Sequence, residues 1–386
     1  MAASTKLITI IAVALVAAVG VGVAFAFGNN GGSEDTGYSI IDGSGKEIKL
    51  TDPVDSLITV NTNAPKAIKI IGADTCLKGI SFYTSDASKD ASNWEDFKDV
   101  FPNTKHMPVY NKLSAEVIVQ EGVKYVLCPV KSMTVSEVVE KDYNKLGITV
   151  IRLDFNGEEM FNDFEKLVKI CYGKDGKSDS YDKYVERYNG VVNSVLDKVK
   201  SAPSTADKTF YSYFASMDSF YNQTAVLSKL TEEIYGKNAL RDIPDLSLSG
   251  VTNAASTLGM KESVLALDSS NPCDKFFFRT TGTDQSESDY AKSWESNLIS
   301  KQYNSLAAIQ NSETYMINSD FLSGPISYMG YVLIAEACGI DTGYNIATLV
   351  SEYKTEYGFN EITSNYMYRV IYIGPSEYDY DEIVVV

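Results

Sequence analysis

Histidine is nearly absent: His106 is the only one in 386 residues. Multi-histidine metal centres are excluded, and so is most imidazole-based acid–base catalysis. Positive charge is also scarce. Lysine and arginine total 34 against 51 aspartates and glutamates, a net charge of -17. Nucleic-acid partners are not expected, because phosphate contacts need a basic face. The five cysteines, Cys76, Cys128, Cys171, Cys273 and Cys338, are widely scattered and form no CxxC motif. They read as buried free thiols, with one disulfide left open. No GxGxxG follows the first apolar strand, and there is no GxxxxGK[ST] and no GxSxG. A serine triad would depend on His106, and no elbow motif supplies the serine. In "FPNTKHMPV", His106 reads as a surface or loop histidine, with ligand contact as the sharper alternative. "DGSGKE" (Asp42 to Glu47) reads as a hairpin turn, and the terminal "EYDYDE" as a solvated acidic end.

Hydrophobic residues, at 44%, are ample for a globular core. The clearest local feature is "LITIIAVALVAAVGVGVAFAF", Leu7 to Phe27, which carries no charge. At about 1.5 Å per helical residue it can cross a bilayer core. Lys6 precedes it while Glu34 and Asp35 follow, so the remainder is expected outside the cytoplasmic membrane. A retained anchor and a signal peptide cut after Ala26 both fit; the length favours the anchor. "GNNGGSEDTG" is then a flexible spacer.

Beyond the spacer, "YSIIDGSGKEIKL" predicts a hairpin. Short apolar strands ("SLITV", "CLKGIS", "KYVLCP", "ITVIRLD") then alternate with helical stretches ("APKAIKIIG", "SAEVIVQEG", "TVSEVVEKDYNKLG"). That alternation implies a parallel sheet covered by helices. "MFNDFEKLVKICYG" and a long helix from Asp179 or Ser180 to just before Pro203 interrupt it. The alternation restarts with "TFYSYF", "AVLSKLTEEIYG", "KFFFRT", "SLAAIQ", "TYMIN" and "SYMGYVLIAEACG". The expected fold class is α/β: two Rossmann-like lobes joined by one long helix, with a ligand cleft between them. The expected domains are an anchor or signal peptide plus spacer (1–36), an N-terminal lobe (37–157), a connecting helical segment (158–203) and a C-terminal lobe (204–386).

This order of segments resembles the iron-siderophore and cobalamin class of ABC-transporter substrate-binding proteins, over about Asp42 to Gly343. "NTNAPKAIKIIGADTCLKGIS" is similar to that family's first loop, helix and strand. "MPVYNKLSAEVIVQEGVKYVLC", "LGITVIRLD" and "SETYMINSDFLSGPISYMGYVLIAEACG" match its later segments in order. The chain departs from the family pattern at Lys66, where Glu is frequent, and at the turns before "KYVLC" and "KFFF". The resemblance implies a monomeric extracytoplasmic binding protein, not an enzyme, without a resident cofactor. Its ligand would be a ferric chelate, haem or corrinoid, and its partner an ABC transporter permease. An enzyme acting on a metal-containing cofactor and a surface adhesion protein are the rival readings.

Open α/β sheets bind ligands beyond the carboxyl ends of their strands. The candidate ligand-binding residues are therefore Asn61, Thr62, Asn63, Tyr83, Tyr110, Lys131, Met133, Phe214, Met217, Tyr221, Arg279 and Thr280, with Phe82, Pro129, Ser319 and Asp320 beside them. Arg279 ends an apolar strand; its planar fork suits carboxylate or catecholate oxygens, or it pairs with Asp284. Tyr83, Tyr110, Phe214 and Tyr221 stack on a flat ligand or fill the lobe cores. Glu116 stands where the family's docking glutamate meets the transporter, and Glu262 is its best second-lobe match; solvated helix glutamates are the alternative.

Overall fold

The computed structural model describes residues 37–82, 87–107, 113–132, 134–214, 219–221, 225–241, 260–280, 303–359, 367–374 and 377–382. The apolar segment Leu7–Phe27 and spacer residues 28–36 lie outside them. No helix among the described residues is long and apolar enough to cross a membrane.

β1 (Tyr38–Ile41) and β2 (Glu47–Leu50) form the expected antiparallel hairpin. Asp42 makes its turn: Oδ1 accepts from the Ser44 and Lys46 backbone N–H groups at 2.9 and 3.0 Å.

The first large sheet is wholly parallel, in the order β5-β4-β3-β6-β7. Its strands are β3 (Leu57–Val60), β4 (Leu77–Ser81), β5 (Lys105–His106), β6 (Tyr125–Cys128) and β7 (Thr149–Arg152). Helices α1 (Asn63–Ile70), α2 (Ala87–Lys98), α3 (Ala115–Gln120) and α4 (Glu137–Lys145) connect them. Side chains along a strand alternate between faces, and here both faces are buried. Leu57, Leu127 and Ile151 join the larger core, while Ile58, Val60, Val126, Cys128 and Val150 join a second core under α3 and α4. Continuous apolar runs rather than polar alternation are what a doubly covered parallel sheet requires. Gly79 belongs to this packing, because a Cβ there would stand 2.2 Å from Met107 Sδ.

α5 (Met160–Tyr172) and the 23-residue α6 (Asp179–Ser201) follow. α6 spans about 35 Å, and the Ser178 hydroxyl caps it by accepting from Tyr181 N–H at 3.0 Å. It packs along α10 (Ser327–Ala337). Tyr184 donates to the Pro325 carbonyl at 2.8 Å, and the Tyr188 and Ser327 hydroxyls lie 3.1 Å apart. Phe161, Phe164, Tyr184, Tyr188 and Tyr328 make a chain of ring contacts at 5.0 to 6.4 Å. One buried core therefore runs from the first sheet through α6 to the second.

The second sheet has the order β10-β8-β11-β12-β13-β14, with β9 on β8. β8 (Thr209–Phe214), β10 (Lys237–Asn238), β11 (Lys275–Thr280) and β12 (Thr314–Asn318) are mutually parallel. α7 (Val226–Ile234), α8 (Met260–Ser270), α9 (Ala307–Gln310), α10 and α11 (Ile346–Tyr357) complete this lobe. Three strands depart from the parallel pattern. β9 (Ser219–Phe220), β13 (Met367–Gly374) and β14 (Glu377–Glu382) pair antiparallel. β14 is the "EYDYDE" segment, so the acidic end forms the edge strand, with Asp379 exposed. Acids and tyrosines alternate in its sequence, and Tyr378 packs on Tyr372 at 5.7 Å; an exposed acid such as Asp379 discourages further pairing at a sheet edge.

His106, read as a surface or loop histidine, is tied down by α2. It ends β5 half-buried, with Nε2 2.8 Å from Asp90 Oδ2 and its ring stacked on Trp94 at 5.1 Å.

Candidate functional site

Strand order gives a candidate site. In the first sheet the chain builds β3, β4 and β5 in one direction, then returns to place β6 and β7 on the other side of β3. The switch point lies between β3 and β6, and ligands in open α/β sheets bind beyond it. Asn61, Thr62 and Asn63 follow β3, and Pro129 to Ser132 follow β6. In the second sheet β10 goes to one side of β8 and β11 to the other. That switch point lies between β8 and β11, which end in Phe214 and in Arg279–Thr280. Register pairs Arg279 with Phe214 directly.

Each candidate can now be placed. Asn61 Oδ1 accepts from Ala64 N–H at 2.7 Å and so starts α1. Thr62 is the N-cap position. Asn63 crosses to the other lobe: its amide lies against Gly324, where a Cβ would come within 2.8 Å of Asn63 Oδ1. Gly324 has φ +74°, a conformation that favours glycine. The start of α1, the Gly324–Ile326 turn and Tyr184 thus form one interlobe junction.

Lys131 is exposed in the β6–α4 loop. Tyr221 is buried, and Arg279 Nη1 donates to its hydroxyl at 3.0 Å. Burial pushes the Tyr221 hydroxyl above its ordinary pKa; Arg279 only partly offsets this. Arg279 therefore has a tyrosine partner among the described residues, while Asp284, its alternative, lies outside them. Ser319 is buried and Asp320 half-buried just beyond β12. Phe82 is wholly buried 5.5 Å from Phe97, so it serves packing. Tyr83, Tyr110, Met133 and Met217 lie outside the described residues, as do the side chains of Phe214 and Thr280. The structure brings Arg279 to Tyr221 and Asn63 to the opposite lobe.

The sequence reading missed the residues that hold the β6–α4 loop. Arg152, at the end of β7, is 8% exposed. Its guanidinium donates to the carbonyls of Pro129, Val130 and Val135 at 3.3, 3.2 and 2.9 Å. It also bridges Glu140 Oε2 at 2.7 Å, and Lys46 takes the other carboxylate oxygen at 2.7 Å. Asp154 accepts from Val130 N–H at 2.8 Å, and buried Asp42 accepts from Arg152 N–H at 3.1 Å. Burial works against the Glu140 carboxylate, but Lys46 and Arg152 outweigh it and hold the carboxyl below the usual range. Burial raises Asp154, with the Val130 bond opposing. The available signal was an Arg closing an apolar strand in "ITVIRLD", the same feature that singled out Arg279.

Glu116 is exposed in the first turn of α3, where the Ser114 hydroxyl donates to it and lowers its carboxyl pKa. Glu262 is exposed near the start of α8. All five cysteines are free. No group of three or more His, Cys, Asp and Glu side chains that could hold a metal ion occurs among the described residues. An open hollow lined by Glu158, Lys229, Glu233, Lys237 and Arg241 lies at the amino ends of β8 and β10, away from the switch point.

The fold is that of the TroA-like periplasmic binding proteins. FepB of that class from Veillonella parvula superposes with a TM-score of 0.62 at 14% identity, over 86% of this chain and 99% of that one. CeuE of Helicobacter pylori, solved with nickel and histidine, gives 0.57 at 15% identity over 84% and 96%. A periplasmic haem-binding protein from Pseudomonas aeruginosa gives 0.52 at 12% identity over 73% and 92%. No family model and no curated protein sequence matches the chain.

Proposed function

We propose that this chain is an extracytoplasmic substrate-binding protein that delivers a metal chelate to an ABC importer. The ligand class is a ferric siderophore-type chelate; cobalamin or haem in the same role is the variant of this reading. The observation that carries it is a switch point in each of the two sheets, with Asn61–Asn63 and the clamped β6–α4 loop after the first and Arg279–Tyr221 after the second. Two sheets built on one continuous core present these strand ends, and solved proteins of similar fold are described as a possible iron-binding protein, a complex with nickel and histidine, and a haem-binding protein. An Arg guanidinium beside a tyrosine suits anionic oxygens on a flat or aromatic ligand.

The N-terminal apolar segment tethers the protein to the outer face of the cytoplasmic membrane, and Glu116 and Glu262 meet the permease. Reversing both charges, Glu116→Arg with Glu262→Arg, abolishes uptake but leaves ligand binding intact; unchanged uptake removes them from the docking surface. The ligand reading is tested by titrating the purified full chain in detergent with ferric siderophores, haemin and cobalamin while following tryptophan and tyrosine fluorescence. Saturable binding of one chelate is expected; no saturation with any of them contradicts the reading.

A further inference from the structure

Two cysteines far apart in sequence meet in space. Cys76 ends the turn that leads into β4, and Cys171 lies in the last turn of α5. Their sulfurs are 3.6 Å apart, although 95 positions separate them. Cys76 is buried and Cys171 half-buried, so a small oxidant reaches Cys171 first.

The surroundings hold the pair in register. Tyr172 and Ser178 both donate to the Ile71 carbonyl at 2.8 Å, and Val54 N–H donates to the Ile170 carbonyl at 2.8 Å. Tyr38 donates to the Lys169 carbonyl at 2.8 Å. The end of α5 is thus tied to the first lobe where the chain turns towards α6. A disulfide needs sulfurs about 2.05 Å apart, so closure asks for roughly 1.5 Å of side-chain movement.

We propose that Cys76 and Cys171 are a disulfide-forming site that staples the α1–β4 turn to the end of α5. Its occurrence in the mature protein rests on the extracytoplasmic reading, since disulfides persist in oxidising compartments. The oxidant is a low-molecular-weight or protein disulfide. The Cys171 thiolate attacks one of its sulfurs and releases one thiol. The Cys76 thiolate then attacks the sulfur of Cys171 in the mixed disulfide and releases the second. Two protein thiols and one external disulfide become one protein disulfide and two external thiols, which carry the two protons. The Cys76 hydrogen bond and burial raise the Cys171 pKa, so the exchange is slow near neutrality and faster in mild alkali.

The test has two arms. In the first, the reduced full chain is incubated with oxidised glutathione at mildly alkaline pH, denatured, alkylated with iodoacetamide and mapped without reduction. Three alkylated cysteines and one linked peptide pair joining Cys76 to Cys171 are expected, with a Tm higher by about 5 °C. Five alkylated thiols, or a link between any other pair, overturn the proposal. Cys76→Ser is expected to stop at a glutathione adduct on Cys171; a new disulfide in that variant counts against the pair. In the second arm, protein from its native membranes is acid-quenched and mapped in the same way. The link is expected there too. Reduced cysteines in this arm, with the link formed in the first, overturn the extracytoplasmic reading and leave the pair standing.

Discussion

Replacing Arg152 by methionine keeps most of the aliphatic volume and removes the guanidinium. Three loop carbonyls lose their donor, and Glu140 keeps only Lys46. Removing one partner of a buried, hydrogen-bonded ion pair costs about 3–5 kcal/mol, against a total stability of about 5–15 kcal/mol for a typical domain. Urea denaturation of the variant should show a lower midpoint with an unchanged slope. Hydrogen exchange at Val130, Lys131, Ser132 and Val135 should quicken, because the clamp is local. The double variant Arg152→Met, Glu140→Met should recover part of the loss, since no uncompensated carboxylate then remains. The pH dependence carries a sign. The Glu140 carboxyl is held below its ordinary value of 4.5, so its contribution is present above that pH and is lost as pH falls through the lowered value. The Arg152 variant should have a shallower acid limb. A loss under about 1 kcal/mol with unchanged loop exchange would refute the clamp.

Three further outcomes follow from the geometry. Arg279→Ala should weaken chelate binding about 10- to 100-fold and, because the buried Tyr221 hydroxyl loses this donor, lower Tm by a few degrees with the domain still folded; isothermal titration reads the affinity, and unchanged binding removes Arg279 from the site. Gly324→Ala should cost about 1–2 kcal/mol from its φ of +74° alone, and its Cβ would press on Asn63, so ligand affinity should change with it; calorimetry showing wild-type Tm contradicts the tight junction. Burial raises the phenol pKa of Tyr38, to about 12, and also raises those of Tyr143, Tyr211 and Tyr235. Their contribution is present below the unfolded value of about 10 and is lost as pH rises above it. Tyrosinate absorbance and unfolding should therefore rise together in alkali, and a smooth titration with the fold intact would contradict this.

Much of the architecture was legible because its signals are local. Gly72 and Gly173 close α1 and α5 where a positive φ is needed, at +74° and +90°. Both-faced burial in the first sheet reads directly as apolar runs such as "LITV" and "YVLC". The strand-end candidates came from the same local reading, since ligands in open α/β sheets bind beyond the carboxyl ends of the strands. What escaped reading depends on tertiary partners. Arg152 gains its meaning from carbonyls 17 to 23 positions away. His106 is fixed by Asp90 and Trp94 on α2, a helix whose polar sequence hides its apolar face. β14 was obscured by its charge, although the tyrosine–acid alternation was present. Cys76 and Cys171 could not be paired by spacing, because nothing between them fixes the distance.

The central claim is that the two switch points together hold one metal chelate. Native mass spectrometry of the full chain in detergent, mixed separately with a ferric hydroxamate, a ferric catecholate, haemin and cobalamin, tests it most directly. The account predicts a one-to-one complex with one of the four, weakened by Arg279→Ala. Bare protein in every mixture, under conditions where the fold is intact, would contradict it.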